Sequence, residues 1–84
     1  MEGERISWKL VHDIVVKMSA LASNIRFYPK KMVNSSFIDN LGKCFETGTF
    51  IIRCYIDGEG LEDLEARVRD FNFRYRILME ALEK

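Results

Sequence analysis

Histidine, proline and tryptophan each occur once in this chain and cysteine twice, and none of the reactive ones stands in a spacing that chemistry uses. Cys44 and Cys54, ten residues apart on one expected helix, would lie about 15 Å apart along its axis. A disulfide needs Cα atoms within roughly 7 Å, so both read as free thiols, which suits a reducing compartment. Without a C-x-x-C or H-x-x-x-H spacing, no zinc site is expected, nor any cofactor. His12 is followed by Asp13, but adjacent helical residues point about 100° apart and form no dyad. No run of about 20 apolar residues suggests a membrane span. Met1-Glu2-Gly3-Glu4-Arg5 lacks the apolar stretch of a signal peptide, and the expected location is cytoplasmic.

Asp57-Gly58-Glu59-Gly60 has two glycines but neither a Walker nor a dinucleotide pattern, and reads as a turn. Glu59, Glu62, Asp63 and Glu65 cluster without facing Glu-x-x-His partners, and read as a solvated helix start. Thirteen basic residues offset thirteen acidic ones. Residues 1–43 carry seven Lys/Arg against four Asp/Glu, and residues 44–84 six against nine. The overall balance weighs against strong independent nucleic-acid binding while leaving room for a local basic patch. No catalytic residue and no small-molecule substrate are indicated.

What the chain does have is helical periodicity. Its 84 residues suffice for one domain. A chain of this size buries only about 60–65% of its unfolded surface. The spacing predicts three helices, over about 7–28, 37–56 and 61–83. Ser7 is the expected first N-cap, and Leu10, Val11, Ile14, Val15, Met18, Leu21, Ala22, Ile25 and Tyr28 share one face. Pro29 should end that helix. Ser35 or Ser36 should cap the second, whose core face is Phe37, Leu41, Cys44, Phe45, Gly48, Ile51, Ile52 and Tyr55. Gly48 within that face implies a close helix crossing or a kink. On the third, Leu61, Leu64, Val68, Phe71, Tyr75, Leu78 and Leu82 form a heptad seam. The expected fold is an all-α antiparallel three-helix bundle, a four-helix bundle short of one helix and completed by oligomerisation.

The backs of these helices are apolar too. Ala66, Phe73 and Ile77 lie opposite the heptad seam, Phe50 points away from the core face of the second helix, and Trp8, Val16 and Phe27 fall outside the stripe of the first. Several large apolar residues outside one core imply a second buried surface. Among the cations, Arg26, Lys30 and Lys31 bracket Phe27-Tyr28. Arg69 and Arg76 share one flank of the third helix and Arg67 and Arg74 the other. Arginines interleaved with aromatics can contact phosphates and bases.

The aromatic-Pro-Lys turn after the first helix, Phe27-Tyr28-Pro29-Lys30-Lys31, and the Leu- and Arg-rich third helix from Leu61-Glu62-Asp63-Leu64 to Arg74-Tyr75-Arg76-Ile77-Leu78 resemble a known group. They are similar to the four-helix-bundle proteins encoded in ribosomal RNA intervening sequences, and to the accessory variability proteins of diversity-generating retroelements. That family has four helices where this chain has room for three, and its retroelement members are basic where this chain is neutral. The resemblance implies a barrel-like homo-oligomer, commonly a pentamer, that associates with a reverse transcriptase and RNA. The expected function is therefore a non-enzymatic, homo-oligomeric accessory protein presenting Arg26, Lys30, Lys31, Arg69 and Arg76 to RNA. The alternative is a protein-only adaptor or inhibitor, of the antitoxin or phage-encoded kind, that uses Phe50, Ala66, Phe73 and Ile77 for contact.

Overall fold

A computed structural model describes residues 7–58 and 61–82 as an all-α three-helix bundle. Helix α1 spans Trp8–Asn24, α2 Ser35–Asp57 and α3 Leu64–Leu82. Ser7 caps α1 as expected, its Oγ accepting from the Leu10 N–H at 3.2 Å. The α-helix closes at Asn24, four residues short of the expected end, and Ile25–Phe27 tightens into a 3-10 turn. Tyr28 is extended (φ −69°, ψ 138°) because the ring of Pro29 disfavours helical geometry at the residue before it.

A second 3-10 turn, Lys30–Met32, leads to α2. The cap of α2 is Asn34, not Ser35 or Ser36, which are already helical. Asn34 has extended backbone, and its side-chain oxygen accepts from the Phe37 N–H at 2.9 Å. Asparagine caps as well as serine, and the residue with β-region geometry takes the role. At the far end Gly58 adopts φ 73° and its N–H donates to the Cys54 carbonyl, a left-handed stop that favours glycine. The third expected helix begins as a 3-10 turn, Leu61–Asp63, before becoming α-helical at Leu64. Glu59, Gly60, Glu83 and the side chain of Leu61 lie outside the described residues, as do Met1 to Ile6.

The cross-contacts establish the topology. Lys17 meets Asn72 and Tyr28 meets Leu78, so α1 and α3 run the same way. Thr47 meets Asp70 and Asn40 meets Arg74, so α2 runs opposite to both. The result is a rod of about 46 × 19 × 17 Å.

Its core is a ladder of residues seven apart: Ile14, Leu21 and Tyr28; Phe37, Cys44 and Ile51; Phe71 and Leu78, all buried. A repeat of seven keeps each seam facing its neighbours along the rod. Gly48 marks the crossing. A Cβ there would stand 2.7 Å from Met18 Sδ, 3.0 Å from Phe71 Cε1 and 3.3 Å from Ile14 Cγ2. All three helices converge on this one position, and α2 runs through it as unbroken helix.

The wide apolar face expected on α1 is narrower in fact. Val15 and Ala22 are exposed because they lie about 80–100° from Ile14, beyond the arc that two neighbouring helices can cover. Ile25 is exposed because the 3-10 turn rotates it away from the stripe. Tyr55 is exposed in the last turn of α2, level with the first turn of α1.

Candidate interaction surface

The first half of α2 and the second half of α3 enclose an open groove of about 520 Å³, lined in part by Met32, Phe37, Lys43, Phe73, Arg74 and Ile77. Phe73 is 55% exposed and Ile77 41%, although both are large and apolar. They stand one helical turn apart, and Ala66, seven residues before Phe73, is exposed on the same side. Phe73 and Ile77 therefore form an apolar patch on the outer face of α3 with the groove along one edge, and Ala66 lies on the same face two turns earlier, beyond Arg69 and Asp70.

Phe50 does not belong to it. The structure places Phe50 half-buried, with the Arg67 guanidinium 4.4 Å from its ring centroid. Arg67 of α3 lies over its ring, a cation–π contact that the position of Phe50 on α2 alone did not disclose, and Phe50 also lines a separate open groove with Glu46, Thr49 and Arg53.

A polar network pins α2 to α3 beside the groove. Thr47 Oγ1 donates to Asp70 Oδ2 at 3.2 Å, and Arg74 Nε donates to the same oxygen at 3.1 Å. Arg74 Nη1 also donates to Asn40 Oδ1 at 2.6 Å. Sequence reasoning passed over Thr47 and Asn40. Their available signal was position: both lie on the face of α2 that carries Cys44 and Ile51. Cys54, outside the expected core face of α2, is buried as well.

The cations are placed unevenly. Lys30 and Lys31 are exposed on the 3-10 turn beyond Pro29, and Arg26 lies 4.8 Å from the ring centroid of Phe27, which is itself 60% exposed. Arg76 is exposed two residues before Leu78, whose carbonyl is bound by Tyr28, so it lies toward the same end of the rod. Arg69 lies two turns earlier on α3, away from that end, and pairs with Glu65 at 3.4 Å.

His12 is exposed, its ring edge-on to Trp8 at 6.3 Å. Cys44 Sγ lies 3.9 Å from the Phe71 carbonyl oxygen, in donor position. Burial pushes its thiol up to about 11, against a smaller lowering by Arg74 and a raising by Asp70. Burial also raises the Cys54 thiol. At neutral pH both sulfurs are protonated, which is the unreactive form. Among the described residues no three His, Cys, Asp or Glu side chains could jointly hold a metal, and no helix is long and apolar enough to cross a membrane.

Compared with family models, curated proteins and solved structures, the chain matches none.

Proposed function

We propose that this chain is a non-catalytic assembly module whose protomers associate through the outer face of α3 and the groove beside it. The observation that carries this reading is the pair Phe73 and Ile77, two large apolar side chains left 55% and 41% exposed beside a groove of mixed polar and apolar lining. In a chain this small, burial on a second protomer adds core that the fold cannot supply alone. The tyrosine, cysteine and threonine side chains inside the bundle have structural partners, which supports an assembly role over a catalytic one.

Phe73→Glu tests it. The helices should persist, because Phe73 is not among the core residues, while the particle shrinks to a lone protomer on size exclusion. An unchanged elution volume with intact helicity would count against the proposal.

A second reading keeps the RNA partner. From Ile14 to Ile38 the sequence has four cations and no acid, and three of them, Arg26, Lys30 and Lys31, flank an exposed Phe27. In a ring of protomers this end would be repeated, raising the local positive potential. Of the five cations first considered, Arg69 contributes least, since Glu65 already holds it. A homo-oligomeric accessory protein of a reverse transcriptase would then bind RNA with an affinity that falls steeply as salt rises. Binding that is absent, or indifferent to salt, would remove this reading and leave an assembly or adaptor protein.

A further inference from the structure

We infer that two protomers pair through α3 in antiparallel orientation about a two-fold axis level with the Arg69–Asp70 bond; this rests on the self-association proposed above and specifies its geometry. The outer face of α3 carries one small apolar residue, Ala66, and two large ones, Phe73 and Ile77. The point midway between Ala66 and Phe73 also lies midway between Glu62 and Ile77, and between Asp63 and Arg76. An antiparallel copy centred there sets the partner's Phe73 against Ala66 and the partner's Ala66 against Phe73. Large meets small twice, as a self-complementary two-fold interface requires.

Charge complementarity selects this arrangement. The segment is acidic at its start and basic further on: Glu62, Asp63 and Glu65 precede Arg69, Arg74 and Arg76. All are exposed except Arg74, which is half-buried. At about 100° per residue, Glu62, Glu65, Arg69 and Arg76 fall on one flank of this face, and Asp63, Asp70 and Arg74 on the other. A two-fold axis perpendicular to an antiparallel pair brings each flank against the same flank of the partner. Arg76 of one protomer is then level with the gap between Glu62 and Glu65 of the other. On the opposite flank the partner's Asp63 approaches Arg74 and, across the groove, Lys43, with Asp39 the acid present on that lining. A parallel pair would exchange the flanks, setting acid against acid and arginine against arginine, which is unfavourable. In the antiparallel pair both ends of the contact are attractive, while at the axis Arg69 and Asp70 each come level with their own copies, Arg69 already paired with Glu65 and Asp70 with Arg74 and Thr47.

The test is a charge exchange read by sedimentation equilibrium at low salt. The natural chain should associate. Arg76→Glu should weaken association at least about tenfold, since it sets a third acid beside Glu62 and Glu65. Adding Glu62→Arg and Glu65→Arg to Arg76→Glu should restore it to within about threefold of the natural chain, because the same contacts re-form with signs reversed. These residues are exposed, and circular dichroism should show unchanged helix content in every variant. If the natural chain associates but Arg76→Glu leaves the constant unchanged, or the triple variant fails to recover, the antiparallel pairing is wrong while self-association stands. If the natural chain remains a lone protomer throughout, both fall together.

Discussion

The hydroxyl of Tyr28 donates to the carbonyl oxygen of Leu78 at 2.7 Å, joining the turn after α1 to the last third of α3 across fifty positions of sequence. The tyrosine ring also meets Phe37 edge-on at 4.6 Å. One side chain thus ties together the first residues of α2, the exit from α1 and the end of α3. Tyr28→Phe keeps the ring contact and removes the hydrogen bond, and should cost about 1 kcal/mol in denaturant unfolding. Tyr28→Ala loses both and should cost about 3 kcal/mol or more.

Gly42 and Gly48 both lie in α2 and should respond to alanine with opposite sign. Around Gly42 nothing lies within 4 Å of an added Cβ, so Gly42→Ala should stabilise by about 0.5–1 kcal/mol through helix propensity. At Gly48 the same gain is available, but the new methyl meets Met18, Phe71 and Ile14. The Met18 side chain can move. The fully buried Phe71 ring cannot. Overpacking of this kind costs about 1–3 kcal/mol, so Gly48→Ala should be net destabilising in thermal unfolding.

The ion pairs of α3 should separate by how much else they hold. Asp70 serves Thr47 and Arg74 with one oxygen, and Arg74 continues to Asn40. Asp70→Ala breaks a link between helices and should cost about 1 kcal/mol, discounted because the carboxylate is partly solvated. Glu65→Ala removes a contact between two well-exposed side chains on one helix, and should leave the unfolding midpoint unchanged at concentrations low enough to keep the protomers apart.

Alkaline pH should loosen the bundle through Cys44. Its thiol rises from the ordinary value of 9.0 to about 11 on folding because burial disfavours the thiolate. A group raised on folding contributes stability that is fully present below its unfolded value and lost as pH climbs through its folded one. Unfolding free energy should therefore hold steady to about pH 8 and fall between about pH 9 and 11. Tyr28, also raised by burial, adds to the same alkaline loss. In Cys44→Ala the decline should be shallower than in the natural chain, while an equal slope would exclude the thiol as its source.

The fold was legible because its signal is periodic. Residues seven apart from Ile14 to Tyr28 and from Phe37 to Ile51 announce rods with one buried seam. Gly48 within such a seam implied a close crossing or a kink, and only the three-dimensional packing chooses the crossing. The boundaries were less so. The 3-10 turns at Ile25–Phe27 and Leu61–Asp63 keep a helix-like pattern while changing the rotation per residue, so periodicity alone carried helix 1 to Tyr28. Asn34 escaped notice as a cap because Ser35 and Ser36 are equally good caps by chemistry, and only backbone geometry chooses among them. The exposed pair of Phe73 and Ile77 could be read from their position opposite the seam. The cover over Phe50 could not, since it depends on where Arg67 of another helix lies in space.

The most direct measurement is sedimentation equilibrium of the unmodified chain over a wide concentration range. The account predicts a mass that exceeds the 9.9 kDa protomer and approaches a whole multiple of it as concentration rises. A mass that stays at one protomer at the highest concentration, with Phe73 still accessible to solvent, would contradict it.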